Sequence, residues 1–116
     1  MGFRRVADAG AVGRGEMKGL VLETMKVLLV NLDGDVMAYE DSCPHRGVAL
    51  SCGTLEPLSG TLICAMHLWR YDVRTGRGLE DHQRAALRRL PMKVQDGGIW
   101  VDVDGAGRVD IDVDAG

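Results

Sequence analysis

The chain has 116 residues, a formal net charge of −3 and only 4% aromatic residues. A chain of this length buries roughly two-thirds of the surface that its unfolded form exposes, so we expect one domain over residues 1–116 with an aliphatic core. The negative charge argues against a nucleic-acid partner, which needs a basic face. No apolar run approaches the roughly 18 residues of a membrane span, and no targeting segment is apparent, so we expect a cytoplasmic protein without a membrane partner.

Short apolar segments between glycine-containing turns predict strands in the first half of the chain. Residues 20–32 are rich in Val, Leu and Met, and Asp33-Gly34-Asp35 then predicts a hairpin turn into a strand over residues 36–39. Residues 56–60 read as a turn, and the apolar run over residues 60–66 is short enough to be a strand.

The second half continues in the same way. Residues 69–73 alternate with period two and end at a turn at Thr75-Gly76. Residues 85–90 are compatible with a short helix, but they more naturally lead into a strand through Leu90, Met92 and Val94. After a turn at residues 96–98, further strands are predicted at residues 99–103 and 109–113, with an acidic face that we interpret as solvated. The aspartates of this face are Asp102, Asp104, Asp110, Asp112 and Asp114.

Two short segments combine cysteine with histidine in the order expected of metal ligands. Cys43 and His45 form a C-x-H pair, and Cys64 and His67 form a C-x-x-H pair. Thiolate and imidazole ligands favour zinc or an iron-sulfur cluster over magnesium or calcium. Zinc fingers usually pair like with like in each turn, whereas here each segment supplies one Cys and one His. This order favours a [2Fe-2S] cluster in which both thiolates bind one iron and both imidazoles bind the other, and structural zinc is the alternative.

The residues around the second pair extend this pattern into a resemblance. Cys64-Ala65-Met66-His67-Leu68-Trp69-Arg70-Tyr71-Asp72, followed by Thr75-Gly76-Arg77-Gly78, resembles the second cluster loop of soluble Rieske ferredoxins. His67-Leu68-Trp69, with Leu where many relatives have Gly, is most similar to the ferredoxin component of bacterial toluene and alkene monooxygenases. The resemblance covers about residues 36–103. The 18 residues between His45 and Cys64 are slightly more than is usual, and the extra length falls in the turn at residues 56–60.

The resemblance implies an all-β Rieske fold, an antiparallel β-sandwich or barrel with a small cluster-binding subdomain of two loops at about residues 41–76. It implies one [2Fe-2S] cluster per chain. The implied cluster and metal ligands are Cys43, His45, Cys64 and His67. It also implies a one-electron carrier that is not itself an enzyme, between an NADH-dependent flavin reductase and the hydroxylase of an aromatic or alkene monooxygenase.

Mixed ligation has a consequence for the redox potential. Two thiolates and two neutral imidazoles leave the oxidised core uncharged, so an electron is added at about −150 to +300 mV, against about −400 mV with four thiolates. High-potential relatives place a Ser and a Tyr after the second histidine, and this chain has Trp69 and Tyr71 there. Relatives of the respiratory chain also join the two loops by a disulfide, which Val48 and Met66 rule out here. We expect a potential near the low end of the range.

Other residues have expected roles around the cluster. In the family the ligand imidazoles reach the protein tip, so an electron would leave through His45 or His67. The apolar rim that we expect for partner docking or cluster tuning consists of Pro44, Met66, Leu68, Trp69 and Tyr71. Simple packing is an equally good interpretation of Trp69. Cys52 is expected to be a partly buried thiol without a ligand role, and His82 a surface residue.

Four alternatives to this function stay open. The chain could be the ferredoxin of a Rieske ring-hydroxylating dioxygenase, or a small Rieske subunit of a reductase. It could also be the Rieske domain of a terminal oxygenase, although without a second set of His and carboxylate ligands for a mononuclear iron it cannot activate oxygen alone. A zinc-stabilised binding module without redox chemistry is the last alternative, and it would be colourless.

Overall fold

Ten antiparallel strands form three small sheets in the computed structural model, which describes residues 3–22, 25–42, 49–65, 68–79 and 86–102. The strands are β1 Phe3–Asp8, β2 Met17–Val21, β3 Lys26–Leu32, β4 Asp35–Glu40, β5 Thr54–Glu56, β6 Thr61–Ile63, β7 Arg70–Asp72, β8 Arg89–Leu90, β9 Met92–Gln95 and β10 Gly98–Asp102. One turn of 3-10 helix covers Leu50–Cys52. The described residues contain no α-helix, and the prediction of an all-β antiparallel fold is confirmed.

The sheets have different roles. The outer sheet has the order β1-β10-β9, the central sheet β2-β3-β4-β8, and the loop sheet β5-β6-β7. The central sheet lies between the other two, so its residues contribute to two separate hydrophobic cores.

Strand β3 shows why this segment is apolar along its whole length. Successive side chains of a strand point to opposite faces. Val27 and Leu29 belong to the core shared with the outer sheet, whereas Leu28 and Val30 belong to the core shared with the loop sheet. All four are fully buried. A strand that is covered on both faces needs apolar residues at every position, without alternation.

The predicted hairpin turn after β3 is confirmed. Asp33 and Gly34 have φ values of 53° and 97°, and β3 pairs with β4 from Leu32↔Asp35 to Val27↔Glu40. Two consecutive residues with positive φ are the requirement of a tight two-residue hairpin turn, which Asp-Gly satisfies.

Tyr39 connects the central sheet to the loop sheet. Its hydroxyl donates a hydrogen bond to the Val73 carbonyl oxygen, directly after β7. Arg89 lies over the Tyr39 ring, 5.9 Å from the centroid, and donates to the Arg74 carbonyl oxygen at 3.0 Å. Burial raises the pKa of the Tyr39 phenol, and the Arg89 guanidinium partly offsets this increase. The loop sheet is thereby attached to the central sheet at the end of β7.

Several element predictions need correction. The apolar run at residues 20–32 is two strands, because β2 ends at Val21 and the Leu22 N–H donates to the Met25 carbonyl oxygen across a tight connection. Strand β1 was not predicted, since Phe3–Asp8 contains two arginines and pairs at an exposed edge. In the predicted strand over residues 60–66, of which residues 60–65 are described, the strand β6 covers residues 61–63.

The C-terminal half also differs in part. Residues 86–90 lead into a strand, as the sequence favoured over a helix, with β8 at Arg89–Leu90 paired to β4. Val94 is 57% exposed, so the predicted alternation fails in β9. Asp102 is only 7% exposed and so does not lie on a solvated acidic face. The other four aspartates of that face, the predicted strand at residues 109–113 and His82 lie outside the described residues.

Candidate metal centre

Four of the nine predicted site residues lie within the described part of the chain. The described ones are Cys64, Leu68, Trp69 and Tyr71. Those that lie outside the described residues are Cys43, Pro44, His45, Met66 and His67. Val48, one of the two positions that rule out a loop disulfide, also lies outside.

Cys64 occupies the first position after β6, where the chain turns into β7. Its backbone N–H donates to the Trp69 carbonyl oxygen at 2.8 Å, which extends the β6–β7 pairing by one step and closes the connection over residues 65–68. Cys64 is 1% exposed and belongs to the core shared by the central and loop sheets. The pairing therefore places the thiol at the base of the second ligand segment, against the core.

Leu68 adopts a backbone conformation that side chains usually avoid. Its φ is 58°, and the residue is 69% exposed. Positive φ is unfavourable for residues with a Cβ atom and natural for Gly. The position where the sequence shows Leu in place of the Gly of many relatives is therefore one that physically favours Gly.

Trp69 and Tyr71 follow the second predicted ligand segment, and both contact the hydrophobic core. Tyr71 is fully buried, pairs with Leu62 across the loop sheet and belongs to the same core as Cys64. Trp69 is half-buried and packs against that core. Part of the Trp69 side chain thus packs against the core, and the rest is exposed to solvent.

Asp41 and Ser51 flank the first predicted ligand segment in the sequence, one before it and one after it, and they form a hydrogen-bonded pair. The Asp41 carboxylate accepts hydrogen bonds from the Ser51 backbone N–H at 2.8 Å and from the Ser51 hydroxyl at 2.6 Å. Asp41 follows β4, and Ser51 lies in the 3-10 turn. Sequence reasoning missed this pair; its only signal was an acidic residue two positions before a predicted cysteine ligand.

The pairing of β5 with β6 brings together the parts of the chain that follow the first predicted ligand segment and lead into the second. Thr54 is paired with Ile63, so Gly53, on the way out of the first segment, lies beside the point where Cys64 begins the second. A Cβ atom on Gly53 would lie 2.0 Å from the Ile63 carbonyl oxygen, and only glycine permits this approach. The turn at residues 57–60 lies at the opposite end of β6, so the extra length noted in the sequence does not alter the end where Gly53 adjoins Cys64.

Within the described residues, no group of three or more His, Cys, Asp or Glu side chains converges. Of the four expected ligands, the described residues include Cys64, a buried thiol at the end of the loop sheet that Gly53 also adjoins; Cys43, His45 and His67 lie outside the described residues. Cys52 is exposed, not partly buried as predicted, because it ends the 3-10 turn on its outer side.

Comparison with known proteins agrees with this architecture. A family model for the Rieske [2Fe-2S] domain matches residues 3–91. The ferredoxin component of the alkene monooxygenase system of Xanthobacter autotrophicus is 34% identical over 90 residues, which cover 78% of this chain and 72% of that protein. The ferredoxin component of biphenyl 2,3-dioxygenase of Rhodococcus jostii is 29% identical and covers 90% of this chain and 96% of that protein.

A solved structure shows the same fold. The ferredoxin of carbazole 1,9a-dioxygenase from Nocardioides aromaticivorans superposes with a TM-score of 0.77 at 25% identity, covering 87% of this chain and 97% of that one. The chain belongs to the Rieske [2Fe-2S] domain family. Within that family it is a ferredoxin, an electron-transfer component with a single [2Fe-2S] cluster and not a catalytic enzyme. No helix in the described ranges is long and apolar enough to cross a membrane.

Proposed function

We propose that Cys43, His45, Cys64 and His67 hold the cluster and that the protein carries single electrons from an NADH-dependent flavin reductase to the hydroxylase of an aromatic or alkene monooxygenase. The observation that supports the ligand proposal is the Thr54↔Ile63 pairing, because it brings Gly53, on the part of the chain that follows His45, beside Cys64. With two thiolates and two neutral imidazoles, the cluster supplies a one-electron acceptor of moderate potential. We also propose that residues 1–116 form one Rieske domain that works in the cytoplasm.

The residues next to the ligands exclude water and offer a surface to the partner. Tyr71 and Cys64 are buried in one core, which limits the access of water from the inside of the molecule. On the outside, Leu68 is 69% exposed beside the proposed ligand His67. An electron that leaves through His45 or His67 passes this surface. Weak redox complexes use small interfaces, so a few side chains suffice.

We assign the docking rim to Leu68 and the accessible part of Trp69, together with Pro44 and Met66. Leu58 provides a matched control, because it is also an exposed leucine but lies on the turn at the opposite end of β6. Leu68→Ala should raise the KM of the hydroxylase for the reduced ferredoxin several-fold, whereas Leu58→Ala should leave it unchanged. Equal KM values for the two variants would remove Leu68 from the docking surface.

The monooxygenase partner is supported by the 34% identity to the alkene monooxygenase ferredoxin. A ring-hydroxylating dioxygenase is the second candidate, because the biphenyl dioxygenase ferredoxin matches over more of both chains, although at 29% identity. The sequence similarity to both kinds of ferredoxin leaves the choice to an assay.

The decisive assay supplies the reduced protein to each hydroxylase in turn. Product formation by the alkene or toluene monooxygenase hydroxylase, with a flavin reductase and NADH present, is expected to exceed that by a biphenyl-type dioxygenase by at least tenfold in kcat/KM. A higher kcat/KM with the dioxygenase than with the monooxygenase would instead assign the protein to a dioxygenase system. Activity with neither would favour the small subunit of a reductase.

A further inference from the structure

The first ligand segment is bracketed by a hydrogen-bonded pair whose members come from different elements. Asp41 follows β4, and Ser51 lies ten residues further on in the 3-10 turn. One carboxylate oxygen accepts the Ser51 backbone N–H at 2.8 Å, and the other accepts the Ser51 hydroxyl at 2.6 Å. Both oxygens of the one side chain therefore act as acceptors toward the same residue. This pair fixes the separation of the two ends between which Cys43 and His45 lie.

The rest of the structure holds the pair in place. The Asp41 side chain is 4% exposed, and its backbone N–H donates to the Lys26 carbonyl oxygen of β3 at 2.9 Å. Gly19 of β2 lies against the pair: a Cβ atom there would lie 2.6 Å from the Ser51 hydroxyl oxygen and 2.8 Å from an Asp41 carboxylate oxygen. The geometry therefore requires both the bidentate acceptor and a residue without a side chain opposite it.

Asp41 is buried and lies two residues before the proposed ligand Cys43 in the sequence. None of the ion pairs among the described residues includes Asp41. A negative charge in a site of low dielectric constant interacts over longer distances than one in water. Because reduction adds an electron, such a charge disfavours the reduced form of a nearby redox centre.

We propose that Asp41 is a positioning residue for the first ligand segment and that its charge lowers the redox potential of the protein. The proposal rests on the ligand set proposed above. Residues outside the ligand shell commonly orient the ligands and tune metal affinity by 10- to 100-fold, and Asp41 is placed to do both. Ser51 and Gly19 contribute to the positioning alone, because neither carries a charge.

The test compares four variants of the cluster-loaded protein. Asp41→Asn removes the charge and one acceptor, while Ser51→Ala and Gly19→Ala disturb the pair and keep the charge. Asp33→Asn is the control: it removes one carboxylate charge at an exposed turn, 88% exposed in its side chain, where Asn tolerates the positive φ as well as Asp does. For each variant the midpoint potential is titrated, and the rate of cluster loss is followed by visible absorbance.

Asp41→Asn should raise the midpoint potential and speed cluster loss by on the order of tenfold, as expected for the loss of a charge-assisted hydrogen bond. Ser51→Ala and Gly19→Ala should also speed cluster loss but shift the potential much less. Asp33→Asn should change neither quantity, since exposed charges are screened.

The proposal is overturned if Asp41→Asn matches Asp33→Asn in both measurements while the cluster signal is intact; the proposed ligand set would survive that result. A wild-type protein without any [2Fe-2S] signal would instead refute the proposed function itself. If Asp41→Asn does not fold, Ser51→Ala and Gly19→Ala decide: unchanged rates of cluster loss in both would overturn the positioning role.

Discussion

At the scale of single residues, Leu68 combines an unfavourable backbone conformation with an exposed apolar side chain. A left-handed conformation costs a residue with a Cβ atom roughly 1–2 kcal/mol, and an exposed Leu recovers little of this through burial. Strained residues persist where the surrounding structure holds them, and they often lie at functional sites. The position of Leu68 beside a proposed ligand is consistent with this tendency.

Leu68→Gly should therefore increase the free energy of unfolding by roughly 1 kcal/mol and at the same time weaken docking to the hydroxylase. Chemical denaturation measures the first effect. Leu58→Gly is the control and should lower stability slightly, because Leu58 is not among the residues with positive φ and glycine only adds backbone entropy there. A loss of stability in Leu68→Gly would show that the conformation carries no strain.

Tyr39 gives a pH dependence at the residue scale. Because burial raises its pKa, the folded protein holds the phenolic proton more tightly than the unfolded chain, whose tyrosine titrates near its ordinary value of about 10. The contribution of the protonated Tyr39 phenol to the free energy of unfolding is fully present below pH 10. It is lost as the pH rises through the higher pKa of Tyr39 in the folded state. Tm should therefore fall above about pH 10.

Tyr39→Phe should flatten this alkaline decline. It also removes the hydrogen bond to the Val73 carbonyl oxygen, so its Tm at pH 8 should be lower, corresponding to a loss of about 1–2 kcal/mol. Thermal unfolding of both proteins between pH 8 and pH 11 checks the prediction. Parallel curves would show that Tyr39 does not contribute to the alkaline decline.

At the scale of elements, the β5–β6 hairpin determines which parts of the chain meet. Its strands have only three residues each, yet their pairing places Gly53, which follows the first proposed ligand segment in the sequence, beside Cys64. The close approach of Gly53 to the Ile63 carbonyl oxygen makes this register sensitive to a single methyl group. The hairpin is thus the element on which the geometry of the site depends most.

Gly53→Ala should destabilise the protein by on the order of 3 kcal/mol, because the new Cβ atom would overlap a backbone atom that no rotamer change can move away. Gly10→Ala is the matched control, since no atom lies within 4 Å of the position of its Cβ atom; its stability should change by less than about 0.5 kcal/mol. Denaturant unfolding of the two variants separates these outcomes. Equal stabilities would mean that the two ligand segments are not held by this contact.

At the scale of the whole molecule, some features could be predicted from the sequence and others could not. The Asp33-Gly34 turn was predictable because a two-residue turn with positive φ has a strong local signal. The division of residues 20–32 into two strands was not, since β3 is covered on both faces and so lacks the alternation that marks a strand end. The proposal of four ligands rests on the order and spacing of Cys and His in the sequence, whereas the contact between Asp41 and Ser51 forms only in the folded chain.

The redox potential is also a property of the whole molecule. Trp69 has no hydroxyl to donate to a cluster sulfide, and a buried carboxylate lies before the first ligand segment. Both features disfavour the reduced state, so we expect a midpoint potential near the low end of the Rieske range, at about −150 mV. A redox titration with a midpoint well above zero would contradict this expectation, and Tyr71 would be the first residue to examine.

The electron paramagnetic resonance spectrum of the dithionite-reduced protein is the most direct test of the central claim. The spectrum should show one unpaired electron per chain, from a reduced cluster with two irons and two acid-labile sulfides. The signal should disappear in Cys43→Ser and His67→Ala and persist in Cys52→Ser. A colourless protein with one zinc per chain and no such signal would show that these cysteines and histidines form a structural site that carries no electrons.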